Sequence, residues 1–197
     1  MKLFSDGTMR VLRGLNVAVD LDEHHLEVQQ MFKNNVKRSG GRTPDVVLEH
    51  TARGYGAEIA LVKTGLFNQV AGIVEDADKD ILFEDRMRDL ICEDQIVSVK
   101  TMKDNYRFFY VTEAQYKSIL HTREFCDVLI VVATRTIGPN KWSYKPKYLI
   151  DNKTATEYIK YPVTPTPWNS RIFMAERARD DGACVILDEK EARVDTV

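Results

Sequence analysis

The longest uninterrupted apolar run of the chain, VLIVVA at 128–133, lies between Asp127 and Thr134. It is far shorter than the ~20 residues that a membrane-spanning helix needs, so we assign it to a folded core. A short apolar run without alternation is typical of a strand that is buried on both faces. The run therefore predicts a sheet that is covered by helices, which belongs to the α/β class.

Composition restricts the kind of protein further. With 197 residues, 44% of them hydrophobic and 29% charged, the chain is suited to a single globular domain with its own core. Cys92, Cys126 and Cys184 include no CxxC pair, so we expect reduced thiols in a cytoplasmic protein. We expect neither a secretory signal nor a membrane-bound form. A net charge of −2 argues against a protein that coats nucleic acid through bulk charge, although it permits a local basic groove.

The order of the predicted elements indicates a mixed α/β sheet flanked by helices. Thr43 as N-cap and Pro44 at the first helical position predict a helix, which Gly54 and Gly56 are expected to interrupt. Three strands should follow, at 67–74, 80–83 and 95–102. Thr112 begins a capping box that predicts the next helix, and the apolar strand at 127–134 comes after it.

We expect one domain over residues 1–197, with three parts. Residues 1–42 form an N-terminal helical lead, in which weak alternation before Asp20 predicts one or two strands and a periodicity of 3.6 after Asp22 predicts a helix. Residues 43–137 form the core. Residues 138–197 form a C-terminal extension that is rich in aromatic and basic residues.

The strand predicted at 95–102 carries the residues with the clearest chemical meaning. Side chains alternate along a strand, so Ser98 and Lys100 share one face while Val97 and Val99 share the other. A lysine in a short β-branched strand is costly to bury unless a negative group lies beside it. Three acidic residues are the candidates for that partner: Asp80, Glu113 and Glu58.

Carboxylates that converge with a lysine at a sheet edge suit a hard divalent cation. Mg²⁺ prefers oxygen ligands and needs only two carboxylates together with a substrate phosphate. The bound metal lowers the pKa of a water and neutralises charge in the transition state, while the lysine positions the nucleophile. The pattern therefore predicts hydrolysis of phosphodiester bonds, with Mn²⁺ as a substitute for Mg²⁺.

These residues resemble the motif of the PD-(D/E)xK nuclease superfamily, which includes many restriction enzymes. The family core consists of a helix, three antiparallel strands, a helix and a strand, and the resemblance covers residues 44–134. Asp80 matches the acidic residue that opens the second strand. Ser98-Val99-Lys100 matches the (D/E)xK motif of the third strand, and Glu58 matches a glutamate on the preceding helix.

Two positions depart from the family pattern, because Lys79 replaces the proline and Ser98 replaces an acidic residue. A subset of restriction enzymes has a serine before the lysine and carries its glutamate on the following helix. Glu113, which follows Lys100 by 13 residues, matches that position.

The resemblance implies a role for each matched residue. Asp80 and Glu113 would bind Mg²⁺, Lys100 would orient the attacking water and Glu58 would support the site. It also implies an endonuclease that cleaves duplex DNA, and a homodimer, since members that cut both strands are commonly dimers.

Two basic segments are candidates for contact with DNA. The first contains Lys37, Arg38 and Arg42, and its alternative role is to end a helix with favourable charge. The second interleaves cations with aromatic rings, which can stack on bases. Its candidate residues are Lys141, Trp142, Lys145 and Lys147. The alternative for this second segment is an edge-strand and loop layer whose aromatic residues cover the core.

Other functions remain open at this level. Serine is a poor metal ligand, so Ser98 is also consistent with a non-catalytic module that binds nucleic acid or a protein through residues after 138. Lys100 can also protect a sheet edge, and Glu113 can simply favour a helix N-terminus. The third alternative is an unrelated α/β enzyme or a structural viral protein.

Overall fold

Helices occur throughout the part of the chain that can be described. The structure, a computed structural model, describes residues 4–38, 43–70, 89–162 and 170–187. The α-helices in these residues are α1 (Asp6–Gly14), α2 (His25–Arg38), α3 (Pro44–Val62), α4 (Glu113–Thr122) and α5 (Ala175–Asp180). Short 3₁₀ helices lie at Leu21–His24 and Ala155–Tyr158. None of these helices combines the length and the apolar character that crossing a bilayer requires.

The strands form one large sheet and one small sheet. They are β1 (Val17–Asp20), β2 (Asn68–Gln69), β3 (Leu90–Cys92), β4 (Gln95–Lys103), β5 (Tyr110–Val111), β6 (Val128–Gly138), β7 (Lys141–Asp151), β8 (Ile159–Lys160), β9 (Arg171–Phe173) and β10 (Cys184–Ile186). The large sheet has the order β1-β7-β6-β4-β3-β2, with β10 also paired to β7, and the small sheet has the order β5-β9-β8. Only β4 and β6 are parallel among the described pairs. The predicted mixed sheet flanked by helices is confirmed.

The connection between β4 and β6 follows the sequence prediction closely. α4 forms the crossover that two parallel strands require. Its capping box is confirmed, since Gln115 N donates to Thr112 Oγ1 (3.3 Å) and Thr112 N donates to Gln115 Oε1 (2.9 Å). Residues 128–134 of β6 are all buried, as expected of a strand that is covered on both faces.

The large sheet separates two apolar cores. The first core lies between the sheet and α3 and includes Val99 of β4, whereas the second lies on the opposite face and includes Met102. Side chains alternate along β4 in unbroken register with β6, so Ser98 and Lys100 point to the face of Met102. Ile119 of α4 belongs to the second core, which places α4 on the same face as Lys100.

The hairpin between β3 and β4 is anchored to the start of α1. Glu93 and Asp94 form its two-residue turn, with positive φ values of 50° and 63°. The Glu93 carboxylate accepts hydrogen bonds from the backbone N–H of Ser5 (2.7 Å), the Ser5 hydroxyl and the Thr8 hydroxyl (2.7 Å). Because Ser5 is the N-cap of α1, the carboxylate lies where the helix dipole favours negative charge.

The prediction of one or two strands before Asp20 is wrong in part. Residues 6–14 form α1, and only the last four residues of the segment form a strand. The Ser5 side chain accepts a hydrogen bond from Thr8 N (3.4 Å), which is the N-cap geometry that begins a helix.

The interruption predicted at Gly54 and Gly56 is also wrong, since α3 continues through both positions. A glycine inside a helix costs only about 1 kcal/mol relative to alanine, and the packing of α3 against the sheet outweighs this cost. At Gly56 the missing side chain makes room for Tyr144 of β7, whose hydroxyl donates to Ala52 O (3.2 Å).

The segment expected to be a C-terminal extension contributes to the middle of the sheet. β7 lies between β6 and β1, so the β6–β7 hairpin crosses the boundary expected at residue 138. Tyr144 is fully buried in the first core, and Tyr148 is buried in the second. The aromatic residues of β7 therefore build both cores, and β7 is not the edge strand that the structural alternative expected.

The three cysteines are buried and none of them forms a disulfide, in agreement with the prediction of reduced thiols. Burial raises the pKa of Cys92 to about 11 and that of Cys184 to about 12. Both thiols are therefore protonated and unreactive near neutral pH.

Candidate active site

Three polar side chains on β4 and immediately before β3 are joined by hydrogen bonds: Lys100, Ser98 and Asp89. The Lys100 ammonium donates to Ser98 Oγ (2.9 Å) and to Val99 O (3.2 Å). The Ser98 hydroxyl in turn donates to Asp89 Oδ2 (3.3 Å). The three side chains thus form a continuous hydrogen-bonded array from a cation, through a hydroxyl, to a carboxylate.

The register of the β3–β4 hairpin positions Asp89. Leu90 pairs with Val97, and Asp89 N donates to Val97 O (3.1 Å), so Asp89 lies opposite Ser98. The Val99 N–H donates to the same carboxylate oxygen that accepts from Ser98. Backbone geometry therefore directs the Asp89 carboxylate to the face on which Lys100 lies.

The electrostatic environment of Asp89 is unusual for an aspartate. Burial raises the pKa of Asp89 above its ordinary value. The Lys100 ammonium, the Val99 N–H and the Ser98 hydroxyl favour the ionised carboxylate but do not offset the loss of hydration. A carboxylate of raised pKa beside a lysine is typical of functional sites, where such perturbed groups concentrate.

The acidic residues predicted as partners of Lys100 lie elsewhere or outside the described chain. Asp80 is outside the described residues. Glu58 belongs to α3, which packs on the face of the sheet opposite to Lys100. Glu113 opens α4 on the same face as Lys100, but its carboxylate contacts Arg171 Nη1 (2.6 Å) and Lys117 Nζ (3.9 Å). The observed array therefore joins Lys100 to Asp89, a residue that the sequence analysis did not select.

Arg171 gives Glu113 a structural role. The guanidinium of Arg171 lies 3.9 Å from the ring centroid of Tyr116 and 4.5 Å from that of Tyr161. Its strand, β9, pairs with β5, which directly precedes α4. The Glu113–Arg171 pair therefore fastens the start of α4 to the small sheet.

We expect Glu113→Gln to lower the free energy of unfolding by about 1 kcal/mol or less, because its carboxylate is more than half exposed. The same change should alter any activity that depends on Lys100 by less than about threefold. Thermal unfolding and a rate measurement on one preparation check both statements, with Lys117→Gln as the matched control. A loss of activity as large as that of Lys100→Ala would instead make Glu113 the metal ligand that the family resemblance implies.

Asp89 is the carboxylate that the Lys100–Ser98–Asp89 group offers to a metal ion. The described residues contain no group of three or more His, Cys, Asp or Glu side chains that could hold a metal. Mg²⁺ is often bound by one or two carboxylates together with substrate phosphates, and Asp89 meets the lower limit of that requirement. The donor set therefore fits Mg²⁺ only when a phosphate-bearing substrate supplies further oxygens.

Ser98 is not suited to be a nucleophile, although a serine beside a lysine occurs in covalent hydrolases. Its side chain is fully buried, so a substrate cannot reach the hydroxyl. That hydroxyl also already donates to Asp89. Lys100 is only half-buried, and it is therefore the member of the pair that can meet a substrate.

Two residues of the second basic segment are occupied by contacts within the protein. Lys141 Nζ lies 2.9 Å from Asp20 Oδ2, and the hydrogen bond to this carboxylate raises the pKa of Lys141. Trp142 is half-buried and packs against the first core. The structure thus gives both residues a role in joining β7 to its surroundings.

The remaining residues predicted to contact DNA occupy varied positions. Lys145 is half-buried on β7. Lys147 is only 4% exposed, and its ammonium lies 5.9 Å from the ring centroid of Tyr148. Lys37 and Arg38 end α2, but their side chains are outside the described part of the chain, as is the whole of Arg42.

A local sequence signal for Asp89 does exist. Glu93 and Asp94 separate two short apolar runs, and a two-residue turn at this point places residue 89 opposite residue 98. The pairing of Asp89 with Ser98 follows from that hairpin register. The strand predicted at 80–83, which lies outside the described residues, favoured Asp80 instead.

Comparisons of the chain with protein-family models, with curated proteins and with solved structures yield no match.

Proposed function

We propose that the protein is a Mg²⁺-dependent nuclease that hydrolyses phosphodiester bonds of DNA, with Asp89 and Lys100 at its centre. The observation that carries this proposal is the array in which Lys100 is linked through Ser98 to a carboxylate of raised pKa. A carboxylate and an ammonium on one sheet face are the groups that hydrolysis of a phosphodiester uses.

The order of elements around the array supports the same function. Among the described elements, α3, β2, β3, β4, α4 and β6 occur in the order helix, three antiparallel strands, helix and strand, with the two-residue β5 between β4 and α4. This is the order that the resemblance to the PD-(D/E)xK superfamily implies. Asp89 precedes the second of these strands and Lys100 lies on the third, which are the positions of the acidic residue and the lysine in that motif.

Each residue of the array has a distinct role in the proposed reaction. Lys100 donates to the attacking water and orients it towards phosphorus, and its charge stabilises the negative charge that develops on the phosphoryl oxygens. Asp89 supplies carboxylate oxygens for Mg²⁺, which lowers the pKa of water and neutralises charge when bound. Ser98 is a positioning residue, because it holds Lys100 and Asp89 in fixed relation.

Lys100→Ala should reduce DNA cleavage by at least about 100-fold, since the group that orients water is lost. The assay incubates the unmodified protein and the variant with duplex, branched and single-stranded DNA in Mg²⁺, and separately in Mn²⁺. We expect products with a 5′-phosphate from the unmodified protein. Lys117→Ala, which removes a well-exposed lysine of α4, is the matched control and should cleave normally. Cleavage that persists in Lys100→Ala would contradict the proposal.

A non-catalytic module that binds nucleic acid is the second candidate. It is favoured by the absence of an acidic side chain at position 98 and by the engagement of Glu113 with Arg171. Binding of DNA by the unmodified protein and by both variants, without cleavage by any of them, would support this candidate. A homodimer remains a prediction that sedimentation of the unmodified protein can check.

A further inference from the structure

A second polar site lies on the opposite side of β4 from Lys100. It is a cavity of about 410 Å³ between the first half of α3, the ends of β4 and β6, and the start of β7. Its lining residues include Glu49, Lys103, Asp104, Thr134, Arg135 and Trp142. Cavities of this volume suit small organic molecules.

Beneath the cavity lies a guanidinium with few partners. Arg53 is only 9% exposed, and its Nε donates to Thr134 Oγ1 (3.2 Å). The Thr134 hydroxyl itself donates to Met102 O (3.0 Å), so its orientation is fixed. Both residues that hold Arg53, Thr134 and Glu49, line the cavity.

The terminal nitrogens of Arg53 lack a hydrogen-bond acceptor among the described residues. Glu49 Oε1 lies 3.7 Å from Arg53 Nη1 and 3.8 Å from Lys103 Nζ, and both distances are too long for a hydrogen bond. Glu49 therefore offsets the positive charge of Arg53 and Lys103 without accepting a hydrogen bond from either side chain. Burial also lowers the pKa of Arg53, which reflects the cost of keeping a cation away from water. These nitrogens are not fully enclosed by protein, so an anion in the cavity can reach them and accept hydrogen bonds from the guanidinium.

The rest of the lining indicates the chemistry of that anion. Lys103 points to the cavity face of β4 and, together with Arg53 beneath the cavity, balances the two carboxylates of Glu49 and Asp104, so an anion meets no excess of negative charge. Phosphate oxygens match a guanidinium fork, and lysine binds phosphate as a point charge. Trp142 forms an aromatic wall on which a planar ring can stack, and stacking of this kind tolerates any base.

We propose that this cavity binds a nucleoside monophosphate, with its phosphate on Arg53 and Lys103 and its base against Trp142. The proposal does not rest on the nuclease function, because Lys103 and Lys100 lie on opposite faces of β4. The cavity volume of about 410 Å³ is large enough for one nucleotide but too small to enclose a longer strand.

Fluorescence of Trp142 provides the test. The chain has two tryptophans, so Trp168→Phe in the full chain leaves Trp142 as the reporter. Titrations with adenosine 5′-monophosphate, adenosine and inorganic phosphate at low salt should give a Kd below about 1 mM for the nucleotide. Adenosine and inorganic phosphate should each bind at least about tenfold more weakly, since each lacks one half of the contacts.

Variants distinguish this site from a general attraction of anions. Lys103→Ala should weaken nucleotide binding about tenfold, while Arg123→Ala, which removes an exposed arginine after α4, should change it less than twofold. Arg53→Lys keeps the charge but loses the fork, and it should also weaken binding about tenfold. Lys100→Ala should bind the nucleotide normally even where it abolishes cleavage.

Several results would overturn the proposal. These are the absence of nucleotide binding in the unmodified protein, equal affinity for adenosine and the nucleotide, equal affinity for inorganic phosphate and the nucleotide, and equal loss in Arg123→Ala and Lys103→Ala. Circular dichroism of each variant shows whether its fold is retained. Because Lys103→Ala alters an exposed side chain, the test does not depend on the folding of Arg53→Lys.

Discussion

Gly56→Ala is expected to destabilise the protein by about 3 kcal/mol, the largest effect on stability that we predict for a single methyl group. A β-carbon at this position would lie 1.9 Å from Tyr144 Oη and 2.4 Å from its Cζ. Tyr144 is fully buried between the sheet and α3 and cannot move aside without disturbing its neighbours. Urea denaturation of the two proteins measures the difference.

Gly54→Ala is the matched control, since it makes the same change one half-turn earlier in α3. Apart from the backbone of α3 itself, no atom of the described residues lies within 4 Å of a β-carbon built at Gly54, so only helix propensity changes. We expect a gain of up to about 1 kcal/mol. Adding Tyr144→Phe to Gly56→Ala should restore part of the lost stability, because it removes the closest atom. Equal effects of the two alanine substitutions would show that Tyr144 does not pack against α3 as described.

Asp89→Asn is expected to reduce DNA cleavage by at least about 100-fold without loss of stability. Asparagine keeps the acceptor that Ser98 and Val99 use, but it lacks the charge that a divalent cation requires. Burial raises the pKa of Asp89, which means that the fold favours the neutral form of this side chain. The neutral asparagine should therefore be tolerated, or should stabilise the protein.

The raised pKa of Asp89 also predicts how the stability difference between Asp89→Asn and the unmodified protein changes with pH. Because the pKa of Asp89 is higher in the folded protein than the ordinary value of 3.8, the folded state binds the proton more tightly. Below the ordinary pKa this group contributes its full stability, which falls as pH rises towards the folded pKa and is constant above it. The stability of Asp89→Asn relative to the unmodified protein should therefore increase over the same window. Denaturation of both proteins across this pH range checks whether the relative stability of Asp89→Asn increases. A strong loss of stability in Asp89→Asn at neutral pH would show that Asp89 serves the fold alone.

Local patterns in the sequence predict much of the scaffold around the site. The apolar run of β6 and the capping box at Thr112 each depend on residues that are close in sequence, and both are confirmed. The same holds for the strand that carries Ser98 and Lys100, which extends over nearly the predicted residues. The alternation of side chains along a strand was sufficient to predict that Ser98 and Lys100 share one face.

Features that depend on distant partners were not predictable in this way. The continuity of α3 through Gly56 depends on the bulk of Tyr144, which lies far along the chain. The position of Glu113 depends on Arg171, which the sequence does not mark as its partner. The interleaved basic and aromatic residues of β7 predicted either a DNA-contacting segment or an edge strand, whereas its buried aromatic residues place it in the middle of the sheet.

The position of β7 has a consequence for how the protein folds during synthesis. One edge of β7 is covered by β1 at its start and by β10 at its end, so segments from early and late in the chain meet on one strand. β1 leaves the ribosome long before its partner exists, since Val17 pairs with Tyr144. Nascent chains that stop before β7 therefore expose an unpaired strand, and such intermediates are the ones that chaperones protect from aggregation.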